Sequence, residues 1–140
     1  MNRAIGKFTV TGGSEQIARD VPGEFKLTRV SGTQRFEGAI QGAGSVEWVF
    51  GYRPDRTAVF AGLQRIEGSI DGRSGSLVLE STGEHDGKSS KGRWRIVTGS
   101  GTGELAGIEG GGTFDAPGGL EATYELEYTL GRFPSRGTLL

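Results

Sequence analysis

The sequence predicts an all-β domain, an eight-stranded antiparallel up-and-down barrel, and three observations carry that prediction. Twenty-seven glycines in 140 residues have no triplet period and punctuate strand-like runs. Those runs alternate apolar with polar residues at the period of a half-buried strand. Asp71-Gly72 and Asp86-Gly87 each stand between two such runs, the signature of a two-residue hairpin. Short strands bent repeatedly by glycine suit a small closed barrel. A two-sheet sandwich is the alternative, but tight turns favour a meander over the long crossings of a Greek key.

In the first strand Ala4, Gly6, Phe8 and Val10 alternate with Arg3, Ile5, Lys7 and Thr9, and Gly12-Gly13-Ser14 ends it. A polar connection follows to Gly23. The second strand runs from Phe25 to Phe36 with a break near Gly32. The third, residues 39–53, places Val46, Trp48, Phe50 and Tyr52 on one face and Glu47 on the other. Pro54-Asp55 makes a turn, because proline fixes φ and aspartate bonds its own backbone. The fourth strand spans 58–70, the fifth 75–85 and the sixth 90–98. Residues 99–112 form a glycine-rich loop with one helical turn at 104–108, and 112–116 and 120–130 supply the last two strands.

Charge assigns the faces. Lys91, Arg93 and Arg95 belong outside, which turns Gly92, Trp94 and Ile96 inward. Glu125 and Glu127 outside place Tyr124, Leu126, Tyr128 and Leu130 inside, and Glu80 and Glu84 do the same for Leu77, Leu79, Ser81 and His85. Residues 1–130 thus form one domain, followed by a tail at 131–140. Phe133, Leu139 and Leu140 make that tail more apolar than solvent requires, so it is expected to dock.

Composition narrows the function. Sixteen basic and seventeen acidic residues, interspersed, give a net charge of −1 and no basic face for nucleic acid. No apolar h-region opens the chain and no stretch reaches the ~20 apolar residues of a spanning helix, so the expectation is a cytoplasmic protein without a membrane partner. With no cysteine and one histidine, neither a thiolate nucleophile nor a transition-metal site is expected, and no cofactor. The run Gly99-Ser100-Gly101-Thr102-Gly103-Glu104 lacks the Lys-Ser/Thr pair and the long helix of a phosphate-binding loop. It reads as a loop closing the barrel end, with Thr102 as a helix cap. His85 beside a hairpin turn reads as solvated.

The chemistry is carried by the inward aromatic and polar residues. Trp48, Phe60, Trp94 and Tyr124, with Ser81, are the candidate ligand-binding residues. Gln64, Tyr52 and Tyr128 are the candidate catalytic groups. Aromatic side chains with polar tips give apolar area and a hydrogen-bonding handle, and a barrel of this size either fills with side chains or holds one small ligand. Both readings of the interior stand at this point.

The blocks Tyr52-Arg53-Pro54-Asp55, Phe60-Ala61-Gly62-Leu63-Gln64-Arg65, Gly72-Arg73-Ser74-Gly75-Ser76 and Gly99–Gly107, in this order and spacing, resemble a bacterial family of domains of unknown function with allene oxide cyclase-like barrels. The likeness covers about Lys7 to Leu130. It implies an eight-stranded barrel with an interior cavity, often in a homodimer. Proteins similar in fold steer reactive small molecules to one stereochemical outcome. Gln64 stands where the resemblance implies an acidic residue, and Ser81 where it implies an aromatic or histidine, which suggests a pocket reshaped for its own ligand. The functional expectation is a barrel that binds an apolar small molecule, either as a cofactor-free cyclase or isomerase of a polyketide- or lipid-derived substrate or as a non-catalytic binder or scavenger. A filled barrel acting as a structural dimer is a third reading.

Overall fold

The computed structural model describes residues 1–131. Eight strands follow in chain order: β1 (Asn2–Arg19), β2 (Lys26–Gly38), β3 (Ile40–Tyr52), β4 (Ala58–Ile70), β5 (Arg73–His85), β6 (Ser90–Ile96), β7 (Ile108–Ala116) and β8 (Glu121–Leu130). Each pairs antiparallel with its sequence neighbours, and β1 closes onto β8 with Asn2 opposite Tyr128 and Thr9 opposite Glu121. The meander and its closure are as the sequence predicts. Asp71 and Gly72 both have positive φ, 49° and 84°, the geometry of the primed turns that match strand twist.

Four local expectations are corrected. Gly12-Gly13 does not end the first strand; β1 continues to Arg19, with a bulge between Val10 and Gly12. Gly13 lies opposite Gly32, and a Cβ on Gly13 would stand 2.6 Å from the Ser31 carbonyl oxygen. The glycines therefore let two strands curl together instead of stopping one. For the same reason β2 passes Gly32 unbroken. The helical turn shrinks to a 3₁₀ turn at Gly103–Leu105, so β7 begins at Ile108. Thr102 does not cap that turn with its side chain; its Oγ1 bonds the Ser76 amide at 3.0 Å and the Ser76 hydroxyl at 2.7 Å, tying the loop to β5.

The assigned faces hold. Trp94, Tyr128, Leu126 and Gly92 point inward, while Arg93, Arg95 and Glu127 are exposed. The interior is layered. One end is sealed by Ile40, Ile70, Leu77, Ile96, Ile108, Leu126 and, from the 3₁₀ turn, Leu105, all at most 3% exposed. The middle is a ring cluster: Phe8 packs on Phe36 at 5.1 Å and on Phe114 at 5.7 Å, and Trp94 on Phe114 at 5.6 Å and Tyr124 at 5.8 Å. Inward glycines make the room. A Cβ on Gly92 would lie 2.1 Å from the Phe114 ring, and one on Gly44 2.6 Å from the Phe36 ring. Large rings thus interlock with empty positions on neighbouring strands, which explains a folded domain with so many glycines. The tail expectation concerns residues that, from 132 on, lie outside those described.

Candidate functional site at the open end of the barrel

At the other end the packing loosens. Here the second half of β1, residues 11–19, has run past the last residue that ties it to the β8 side, where Val10 N–H donates to the Leu120 carbonyl, and its ladder is with β2 alone. Along this β1–β2 arm β2 stays paired with β3, from Lys26 opposite Tyr52 to Phe36 opposite Gly42. Trp48 and Phe50 on β3 remain half-buried, and Phe60 and Phe114 form the floor. A small cavity of about 160 Å³ lies among Phe8, Trp48, Phe50, Phe60, Phe114 and Ala122. A larger one of about 530 Å³ lies under the arm, walled by Gly13, Val30, Gly32, Gln34, Val46 and Trp48. Val10, Trp48 and Leu120 border both. Volumes of a few hundred Å³ with mostly apolar walls suit a small ligand.

Three polar features belong to this region. The first is a buried amide network. Trp94 Nε1 donates to Gln64 Oε1 at 3.0 Å, and Gln64 Nε2 donates to Gln34 Oε1 at 2.7 Å. An indole N–H can only donate, so Gln64 must turn its oxygen to Trp94 and its nitrogen to Gln34. Gln34 must then answer with its own oxygen. Its Nε2 is left with no hydrogen-bond partner among the described residues, although the residue is only 3% exposed. The second feature is Trp48 Nε1, also buried and without a partner among the described residues. A buried donor left unpaired costs about 1–3 kcal/mol.

The third feature is on the rim. Thr28 and Tyr52 both donate to Glu15 Oε2 at 2.7 Å. Burial, then the Glu15 carboxylate, pushes the Tyr52 phenol up to about 12, so it stays protonated.

The predicted site residues therefore separate by depth. Trp48, Phe60 and Tyr52 stand at the open end. Gln64, Ser81 and Trp94 lie in the filled centre, where the Ser81 hydroxyl has no partner among the described residues. Tyr124 and Tyr128 belong to the sealed half and act as staples: Tyr124 accepts from the Ile40 amide and donates to the Glu37 carbonyl, both at 2.8 Å, and Tyr128 donates to the Asp71 carboxylate. Both phenols are raised, first by burial, Tyr128 to about 12. Glu15, Thr28 and Gln34 are not among the site residues the sequence predicts. Gln34 shares its face with Phe36 at spacing two, a signal that was present but hidden by the break read at Gly32.

A wider groove of about 660 Å³ runs over the β5–β6 hairpin. Its walls mix Arg53, Lys91 and Arg93 with Glu84, Asp86 and Asp115, and His85 Nδ1 there is satisfied by Ser90 Oγ at 2.9 Å. Charges of both signs, and no orphaned buried group among the described residues, give it less claim to a specific ligand than the barrel mouth.

Residues 4–128, nearly the whole barrel, match the family described as "Protein of unknown function (DUF3224)". The chain belongs to this DUF3224 family. A crystal structure of a DUF3224 family protein of unknown function from Shewanella oneidensis MR-1 is similar, with a TM-score of 0.76 and 23% identity over 94% of this chain and 99% of that one. At that identity the likeness supports the barrel as a shared fold. No curated protein matches the chain. Fold alone transfers no activity, so function has to be argued from the mouth of the barrel.

Proposed function

We propose that this DUF3224 barrel binds a small apolar molecule at its open end. The observation that carries the proposal is the pair of adjoining cavities, about 160 and 530 Å³, that share Trp48 as a wall where the rest of the interior is packed. A barrel built only for stability would close this end as it closes the other, with aliphatic side chains and a covering turn. Instead Gly13 and Gly32 set two positions without side chains in the wall of the larger cavity.

Nile red, an uncharged dye that brightens in apolar surroundings, tests this directly. Titration should give saturable enhancement. Gly32→Leu, which fills the cavity from β2, should weaken binding by about tenfold or more while the melting transition stays cooperative. Absence of saturable binding, or equal binding by a folded Gly32→Leu protein, overturns the proposal.

One observation favours a second reading, a cofactor-free cyclase or isomerase acting on a polyketide- or lipid-derived substrate. Tyr52 lines neither cavity, but its protonated hydroxyl donates to the carboxylate of Glu15, which lines the larger one. Such a pair can place a proton on a substrate held in a near-attack geometry. Under this reading Tyr52→Phe abolishes turnover and leaves Nile red affinity within about twofold.

A further inference from the structure

We infer that the ligand is an apolar amine, its body in the larger cavity and its ammonium on Glu15, an inference that rests on the open end being a binding site. Glu15 is the one charged residue in the wall of that cavity, and β1 sets it opposite Val30, another wall residue. Thr28 and Tyr52 both donate to its Oε2, so the carboxylate is held in place from β2 and β3. Both of those bonds go to one oxygen, which leaves Oε1 to accept from elsewhere. None of the ion pairs among the described residues includes Glu15. Arg19 is paired with Glu24 at 3.9 Å. Lys26 stands over the Tyr52 ring, 5.1 Å from its centroid, and borders a separate groove with Asp20 and Glu24. The cavity thus ends on a positioned negative charge that has no cation of its own.

Such a site suits an amphiphile. Glu15 is exposed, so a charged head bound there keeps part of its water while an apolar body leaves water altogether. Leu120, 63% exposed and bordering both cavities, gains cover from such a body. An ammonium brings a positive charge and several N–H donors to the carboxylate, a charge-assisted bond. A hydroxyl brings one donor and no charge; a carboxylate brings neither and is repelled. Amines are therefore the best ligands, alcohols the next and fatty or aryl acids the worst. The whole chain carries a net charge of only −1, too little for a general attraction of cations, so the selection rests on Glu15.

Four probes of nearly one shape isolate the head: 2-naphthylmethylamine, 2-naphthylmethanol, 2-methylnaphthalene and 2-naphthoate, each displacing Nile red from the full-length protein at neutral pH. The amine should bind more tightly than the alcohol, and the acid more weakly than either. Glu15→Gln keeps an oxygen for Thr28 and Tyr52 and removes the charge. It should lower the amine-to-alcohol affinity ratio by about threefold to fivefold, the scale of an ion pair at an exposed rim. Glu24→Gln removes an equal charge that lies outside the cavity wall, and the ratio should not move. If Glu15→Gln does not fold, salt decides: about 0.5 M NaCl should lower the wild-type amine-to-alcohol ratio and leave the alcohol-to-hydrocarbon ratio alone. An unchanged amine-to-alcohol ratio in folded Glu15→Gln (or, failing that variant, a salt-insensitive one), an equal fall in Glu24→Gln, or naphthoate bound as tightly as the amine overturns the amine inference and leaves the binding site standing. Displacement by none of the four probes overturns the binding site itself.

Discussion

Replacing Gln64 by leucine should destabilise the barrel by about 2–4 kcal/mol, although leucine is of similar size and the position is fully buried. The side chain joins two neighbours, accepting from Trp94 at 3.0 Å and donating to Gln34 at 2.7 Å. Removing it leaves the indole N–H and the Gln34 oxygen both dry and unpaired, at roughly 1–3 kcal/mol each. The added apolar surface of leucine returns about 1 kcal/mol. Against a total stability of the order of 5–15 kcal/mol the loss is large enough to read from urea denaturation. The second arm is Gln34→Leu together with Gln64→Leu. Gln34 already carries an Nε2 unpartnered among the described residues, so the double replacement removes two of the network's three unpaired atoms and leaves the Trp94 N–H. The double variant should therefore be more stable than Gln64→Leu alone, with a loss of about 1–2 kcal/mol. A Gln64→Leu protein within about 0.5 kcal/mol of wild type, or a double variant whose loss equals the sum of the two singles, would refute the network as drawn.

Three further outcomes follow from the same contacts. All three tyrosines are raised, so a near-UV absorbance titration of the native protein should show no phenolate at the ordinary pKa of about 10, and the urea-unfolded protein should show all three there. Because the folded phenols hold their protons more tightly than the unfolded ones, the stabilisation is complete below about pH 10 and is lost above it, for Tyr52 and Tyr128 as pH rises through about 12; denaturation midpoints should be flat from neutrality to about pH 9 and then fall, less steeply in Tyr128→Phe. Gly62→Ala should be severely destabilised, by about 3 kcal/mol or more, since its Cβ would stand 1.9 Å from the Glu47 carbonyl oxygen and 2.8 Å from Trp48 Cα, neither of which can swing aside; a thermal melt within a few degrees of wild type would contradict the close approach of β3 and β4. Gly72→Ala meets nothing within 4 Å but must adopt φ +84°, so its loss should be only about 1 kcal/mol.

The sequence declares the architecture because hairpin turns and alternation are local. Asp71-Gly72 and the charged outward rows of β6 and β8 fix turn, face and order without reference to the rest of the chain. What alternation lacks is height. It places Tyr52, Tyr124 and Tyr128 on inward faces alike, yet Tyr52 stands at the open rim while the other two bond Ile40, Glu37 and Asp71 at the sealed end. Height depends on register across the ladders, which no single strand contains. The arm was hidden for a related reason. Gly12-Gly13 has the chemistry of a turn, and only the presence of Gly32 directly opposite makes it a bend within a continuing strand. A break at Gly32 also interrupts the spacing of two that sets Gln34 on the same face as Phe36.

Seven of the eight ladders join strands that are neighbours in the chain; the eighth, between β1 and β8, brings Asn2 to Tyr128. The seven can grow one hairpin at a time, over connections of which the longest is residues 97–107 between β6 and β7, whereas the seam requires the two extremities of the domain to meet and brings the full entropic cost of that closure. Until it forms, the curled sheet exposes its ring cluster and two bare edges. The rate at which the cylinder shuts is thus set at one place, along Asn2–Thr9. Amide hydrogens bridging β1 to β8 should exchange with solvent sooner than those between β3 and β4, although the two ladders bury side chains of the same cluster. The protein's exposure to aggregation during synthesis is then governed by its last strand, since nothing before residue 121 can complete the ring.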